Sequence, residues 1–100
     1  GRLDPTRGAS ELERMIRALQ PWPGTYLDLP DCRLVVHVAH VAPHEPGDRP
    51  ACLVAHGRGL ALVAADGRLV IEEAQLPGGR RMPAADLLRG RPSLVGRPVR

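Results

Sequence analysis

The chain has 100 residues, 43% of them hydrophobic, and this length suits a single domain because it buries roughly 60–70% of its unfolded surface. No apolar run approaches the roughly 20 residues that cross a bilayer, which predicts a soluble globular chain without a membrane partner. The two cysteines do not mark a disulfide framework, which predicts a reduced, cytoplasmic chain. The net charge is +3, and residues 80–100 hold six arginines against one acid, which indicates either a polyanionic partner such as nucleic acid or a solubilising tail.

Residues 1–9 contain no apolar core of the secretory type and begin with glycine. We interpret them as a linker from a preceding domain, residues 10–97 as the folded domain, and residues 98–100 as a tail. On this interpretation the segment before Gly1 would carry the chemistry.

A first helix is predicted from Ser10, which with Glu13 forms a capping-box pattern. Its apolar residues follow the spacing of one buried stripe, and they are Leu12, Met15, Ile16 and Leu19. The helix should end before the "PWPG" of residues 21–24, where Gly24 permits the backbone to reverse.

Five short strands are predicted after this turn, divided by Pro, Gly and Asp: "TYLDL", "RLVVHVAHVA", "ACLVAH", "LALVAA" and "RLVIEEAQL". Between the last two, Asp66 and Gly67 predict a hairpin with a type I′ turn, which needs positive φ at both central residues. The polar segment "PHEPGDRP" separates the second strand from the third.

The last long strand changes its alternation at Glu72 and Glu73, which predicts a β-bulge that turns the acids outward. Bulges bend strands into barrels, so the pattern favours a mainly β fold, a small OB-like and partly open barrel with flanking helices. The second, short helix should have Pro83 at its first position, continue through "AADLLR" and stop at Gly90.

Candidate catalytic and metal-binding sets are weak in this sequence. His37 and His40 should point to opposite faces of a strand, and Cys32 and Cys52 are too few and too far apart for a ligand cluster. No nucleophile and base arrangement is visible, so we expect no catalytic, cofactor or metal site within the chain. Trp22, between two prolines, is predicted to anchor the core rather than to stack on bases.

The segment "PGGRRM" is a glycine-rich connection from a strand to a helix. Its arginine pair, Arg80 and Arg81, precedes a helix N-terminus, where amides and the helix dipole favour anions, so phosphate is the ligand that we expect there. A loop that is simply solvated is an equal alternative. The use of arginine throughout suits bidentate phosphate binding, and it is also what a GC-rich genome would encode.

Three stretches together resemble the C-terminal domain of methionyl-tRNA formyltransferase: "ELERMIRALQPWPGTY", "GRGLALVAADGRLVIEEAQLPGGRRM" and "PAADLLRGR". The resemblance runs from about Leu3 to Arg97. Two differences from the usual family pattern are the Pro5 that follows Asp4, where the family often has tryptophan, and "VAADG", where it often has an aliphatic residue, cysteine and glycine.

The resemblance implies a non-catalytic domain that binds the phosphate backbone of the initiator tRNA acceptor arm. It also implies a separate N-terminal formyltransferase domain that carries 10-formyltetrahydrofolate and the catalytic residues. Arg80 and Arg81 match the family's basic pair and Arg17 its helix arginine, which makes them candidates for tRNA contact. Arg14 is added from helix geometry.

Two other functions fit the same sequence. The domain could brace a formyltransferase that acts on another amine, such as a nucleotide sugar, without contacting RNA. It could also be a free-standing interaction module.

Overall fold

The computed structural model describes residues 1–100, which form a mainly β domain with two helices. The elements in chain order are α1 (Ala9–Ala18), β1 (Thr25–Asp28), β2 (Arg33–Ala42), β3 (Leu53–His56), β4 (Gly59–Val63), β5 (Arg68–Gln75), β6 (Met82–Pro83) and α2 (Ala84–Gly90), followed by a 3₁₀ turn (Pro92–Leu94). The strands pair antiparallel in the order β1-β2-β5-β4-β3, and β6 adds to β5. The predicted mainly β class and its five strands are confirmed, and the sheet stays open rather than closing into a barrel.

The core lies between the sheet and the helices. Of the predicted helix stripe, Leu12 and Ile16 are buried, Met15 packs against the core and Leu19 is half-buried. Both ends of the chain also reach this core, because Leu3 and Val99 are buried with it. The N-terminal segment therefore packs against the domain, and the Leu3 amide donates to the Tyr26 carbonyl at 2.8 Å.

The start of α1 differs from the prediction. The helix begins at Ala9 with Gly8 as its N-cap, and Ser10 makes no capping hydrogen bond. Instead the Ala9 amide donates to Oδ1 of Asp66 at 2.7 Å, a contact between residues 57 positions apart. The capping-box prediction was wrong because the fold brings the β4–β5 turn against the helix N-terminus, and a carboxylate from that turn takes the place of a local hydroxyl.

Replacing Asp66 with alanine should lower the free energy of unfolding by about 1 kcal/mol, because it removes the acceptor for the first helical amide. Ser10→Ala is the matched control, and it should change stability by less than about 0.5 kcal/mol. Urea unfolding followed by circular dichroism measures both. A larger loss in the Ser10 variant than in the Asp66 variant would contradict the tertiary cap.

The turn between β4 and β5 was predicted as type I′, and this was wrong. Neither Asp66 nor Gly67 has a positive φ, and the loop spans residues 64–67, closed by the Ala64 amide donating to the Gly67 carbonyl at 2.9 Å. Gly67 serves a different need, because a Cβ at this position would lie 2.8 Å from the Ala42 carbonyl oxygen. Close approach of β2, not backbone conformation, therefore requires glycine here.

The predicted bulge in β5 is confirmed. Val38 pairs with Glu73 and Ala39 pairs with Ile71, so Glu72 is left without a partner in the ladder and is exposed. Residues on both sides of it, Ile71 and Ala74, remain buried as the alternation predicted. A second irregularity, on β2 between Val36 and Val38, compensates for the first.

Trp22 does not anchor the core, contrary to the prediction, because 84% of its surface is exposed. The Gly24 amide donates to the Leu19 carbonyl at 2.8 Å, and this bond closes residues 20–23 into a loop that projects from the end of α1. Gly24 has φ +80°, so the expected backbone reversal at this glycine is confirmed. The core beneath the loop is filled by aliphatic side chains.

Candidate nucleic-acid interface

The end of α1 and the segment after β5 lie at the same end of the sheet. The N-terminus of α1 contacts Asp66, just before β5, while the Gln20 side chain after the helix donates to the Val36 carbonyl at 3.4 Å. Val36 pairs with Ala74 near the end of β5. Helix and strand therefore run in the same direction, and we use the name arginine end for residues 14–24 and 76–81, which lie toward the C-terminal ends of these two elements.

The glycine-rich segment is a tight turn. The Gly79 amide donates to the Leu76 carbonyl at 3.0 Å, and Pro77 and Gly78, with φ +75° at Gly78, occupy the central positions of a type II turn. Gln75 holds this turn in place, since its Nε2 donates to the Gly79 carbonyl at 3.1 Å and its Oε1 lies 3.0 Å from Nε2 of His37. The two arginines that follow thus start from a fixed backbone.

Arg80 and Arg81 are both exposed, but their surroundings differ. Nε of Arg81 donates to Oε1 of Glu73 at 2.7 Å, whereas Arg80 makes no ion pair. Met82 and Pro83 separate the pair from α2, which begins at Ala84, one residue later than predicted. Pro83 is the N-cap rather than the first helical residue because it also pairs with Glu73 in the sheet.

The two helix candidates, Arg14 and Arg17, project from the exposed side of α1. Nε of Arg17 donates to Oε2 of Glu13 at 2.6 Å, one helical turn away, and this hydrogen bond raises the pKa of the Arg17 guanidinium. Arg14 makes no ion pair. Arg17 lies in the last turn of α1 and Arg14 about one turn earlier, and two of the four sequence-predicted arginines are paired with glutamates.

The paired arginines remain available to an anionic ligand. Exposed ion pairs such as Arg81 with Glu73 and Arg17 with Glu13 contribute little to stability, because solvent screens them. A phosphate that offers a charge-assisted hydrogen bond can replace the glutamate at little cost. Arg80 and Arg14 need give up no partner at all.

Sequence reasoning missed Trp22 as a member of this surface. The two rings of the chain differ in accessibility, because the guanidinium carbon of Arg33 lies 4.3 Å from the centre of the Tyr26 ring, while Trp22 projects into solvent. The available signal was the flanking proline on each side of Trp22. Prolines fix φ and lack amide donors, so such a segment sits outside the regular core elements.

A second cluster of charges lies at the opposite end of the sheet, around the buried Arg68. Its guanidinium binds both carboxylate oxygens of Asp48, at 2.6 and 3.0 Å, and Oε2 of Glu45 at 3.2 Å. The hydrogen bonds that Asp48 accepts from Arg68 and from the Glu45 amide lower the pKa of Asp48 to about 2. A cavity of about 430 Å³ opens beside this cluster. The two carboxylates that line the cavity, Glu45 and Asp48, already bind Arg68. We interpret the cluster as a tether for the loop of residues 43–50.

The histidines are dispersed over separate partners. His40 contacts Glu72 through Nδ1, and His44 lies 2.8 Å from the Ala64 carbonyl. No group of three or more His, Cys, Asp or Glu side chains is arranged to hold a metal ion. Neither helix is long and apolar enough to cross a membrane.

Comparison with known proteins gives a consistent result. Residues 1–92 match the family model described as the formyl transferase C-terminal domain. Three relatives are each named methionyl-tRNA formyltransferase. The protein of Marinobacter nauticus is 38% identical over 91 residues, which cover 90% of this chain and 29% of the relative. The protein of Halorhodospira halophila is 41% identical over 98 residues, which cover 97% of this chain and 32% of the relative. The protein of Symbiobacterium thermophilum is 42% identical over 97 residues, which cover 94% of this chain and 30% of the relative. The chain thus spans about a third of the length of these relatives.

Proposed function

The chain belongs to the formyl transferase C-terminal domain family, and we propose on this premise that it binds tRNA for a methionyl-tRNA formyltransferase of the cytoplasm. In this proposal the chain itself is not catalytic. It holds the acceptor arm of initiator tRNA through the phosphate backbone, while a separate N-terminal domain with 10-formyltetrahydrofolate transfers the formyl group to the methionyl amine.

The observation that carries the proposal is the arginine end. Arg80 and Arg81 follow a type II turn that Gln75 tethers, and Arg14 and Arg17 lie on α1, which runs in the same direction as β5. Guanidinium groups suit phosphate because they donate parallel hydrogen bonds to two oxygens. A fixed backbone beneath them lets the cationic side chains bind without first ordering a loop.

Positioning is a sufficient contribution to the reaction. Holding a substrate so that the reacting amine stays near the formyl donor converts an encounter between separate molecules into a step within one complex. Contacts to phosphate fix the orientation of the RNA but carry no direct sequence information. Discrimination among tRNAs would therefore fall to the catalytic domain, and this chain would supply affinity and orientation.

A salt titration tests the proposal. Binding of the 100-residue chain to fluorescently labelled initiator tRNA should weaken as salt rises, with a slope of log K against log salt of about −2 to −4 for three or four neutralised phosphates. An elongator tRNA serves as control and should bind with a similar slope, since backbone contacts do not read sequence. Absence of binding at low salt, or binding that ignores salt, would refute the proposal and favour a bracing domain for another amine acceptor.

A further inference from the structure

Trp22 is a large aromatic side chain that the domain leaves without a structural role. Its ring is 84% exposed, and it lies in the loop that joins α1 to β1. The loop is nevertheless held firmly, because the Gly24 amide closes it onto Leu19 and the Gln20 side chain fastens it to β2. The prolines on either side of Trp22 further restrict its backbone. The ring is therefore held out from the surface in a limited set of positions.

We propose that Trp22 stacks on an unpaired base of the tRNA that the arginine end binds, an inference that rests on the function proposed above. Trp22 follows Arg17 by five residues and lies at the same end of the sheet as Arg80 and Arg81. Phosphates held by these arginines would bring a neighbouring nucleotide to the ring. Aromatic side chains stack on any base, because each base presents a π face.

The surroundings of the ring favour a base over a protein partner. The other large hydrophobic side chains that are exposed, Val41 and Val95, belong to β2 near its far end and to the segment after the 3₁₀ turn. Trp22 is therefore not part of a contiguous patch of large apolar side chains, which a protein interface would need to exclude water around its anchor. Among the charged side chains at the arginine end, four arginines outnumber the two glutamates that pair with Arg17 and Arg81, an excess of positive charge that suits RNA.

The partner base should be unpaired. Bases within a duplex are already stacked on both faces, whereas those in loops, bulges and ends can present a face to an aromatic ring. A transfer RNA has such bases in its loops and at its acceptor end. Trp22 would thus contact a nucleotide that the duplex part of the acceptor arm cannot provide.

The chain contains one tryptophan, so its emission reports on this position alone. Saturating tRNA should change the Trp22 emission markedly, while a blunt RNA duplex, which offers phosphates but no unpaired base, should leave it nearly unchanged. Trp22→Ala should reduce tRNA affinity about tenfold without changing the salt slope, since no charge is lost. Trp22→Phe should retain most of the affinity because a ring remains.

The outcomes separate this inference from the function on which it rests. Salt-dependent tRNA binding with no change in Trp22 emission, or with full affinity in Trp22→Ala, would overturn the stacking inference and leave the proposed function standing. An equal emission change with the blunt duplex would also overturn it. Absence of tRNA binding in the unaltered chain would overturn both. Because Trp22 is exposed, both variants should keep the unfolding midpoint of the unaltered chain, which excludes misfolding as a cause.

Discussion

Replacing Arg80 and Arg81 together with alanine should weaken tRNA binding by at least tenfold and reduce the magnitude of the salt slope by about 2. Each arginine that leaves a phosphate removes a charge-assisted hydrogen bond worth about 1.5 kcal/mol or more, and about one unit of slope. The loss in slope identifies the arginines as phosphate ligands, because a purely structural effect would lower affinity without altering the number of counterions released. The measurement is the salt titration already described, repeated on the variant.

Arg49→Ala is the matched control for this experiment. Arg49 is exposed and makes no ion pair, and it lies in the loop after β2, at the end of the sheet opposite the arginine end. Its removal should change affinity less than about twofold. The single variants should also differ, because Arg81 binds Glu73 in the free protein and Arg80 does not. Equal losses in the single variant Arg80→Ala and in Arg49→Ala, which each remove one charge, would show that only net charge matters and would contradict a located interface.

The parts of the fold that were predictable depend on local periodicity. Two of these features each occupy a few neighbouring residues: the apolar stripe of α1 through Leu12 and Ile16, and the broken alternation at Glu72. The structure confirms both. The cap of α1 was not predictable in this way, because its acceptor, Asp66, comes from a turn far along the chain.

In the candidate site, too, features set by neighbouring residues were predictable and features set by distant contacts were not. Arg80 and Arg81 were noticeable because they follow a glycine pair in a short motif, and the structure adds that Gln75 fixes the turn beneath them. The exposure of Trp22 was not predictable from its apolar character, since burial depends on which way the closed loop projects. The cluster around Arg68 was hidden for another reason, because its main partner lies 20 residues earlier in the chain.

The largest effect on stability is expected at Arg68. Replacing it with methionine should reduce the free energy of unfolding by about 3 kcal/mol near neutral pH. The side chains of Arg68 and Asp48 are only 8% and 7% exposed, and methionine would leave the carboxylate buried without its bidentate partner. The loop that Arg68 tethers should then become more susceptible to proteolysis. Urea unfolding at pH 7 and limited digestion with a protease measure the two effects.

The pH dependence of stability provides an independent test of the same pair. The folded pKa of Asp48 is about 2, below the ordinary value of 3.8, because Arg68 and the Glu45 amide donate hydrogen bonds to the ionised form. A depressed folded pKa means that the stabilisation is complete above about pH 4 and is lost as pH falls toward 2. The loss should be about 2 kcal/mol, and it should be absent from Asp48→Asn. Comparison with this variant isolates Asp48 from exposed acids such as Asp4 and Asp31, whose pKa values are also lowered.

The double variant Asp48→Asn, Arg68→Met decides whether the two residues act as a unit. If they do, its loss of stability at pH 7 should be clearly smaller than the two single losses combined, because no uncompensated charge remains buried. Additive losses would show that Arg68 stabilises the loop mainly through its other contacts, to Glu45 and His56. Binding of tRNA should be little changed in any of these variants, since the pair lies at the opposite end of the sheet from Arg80 and Arg81.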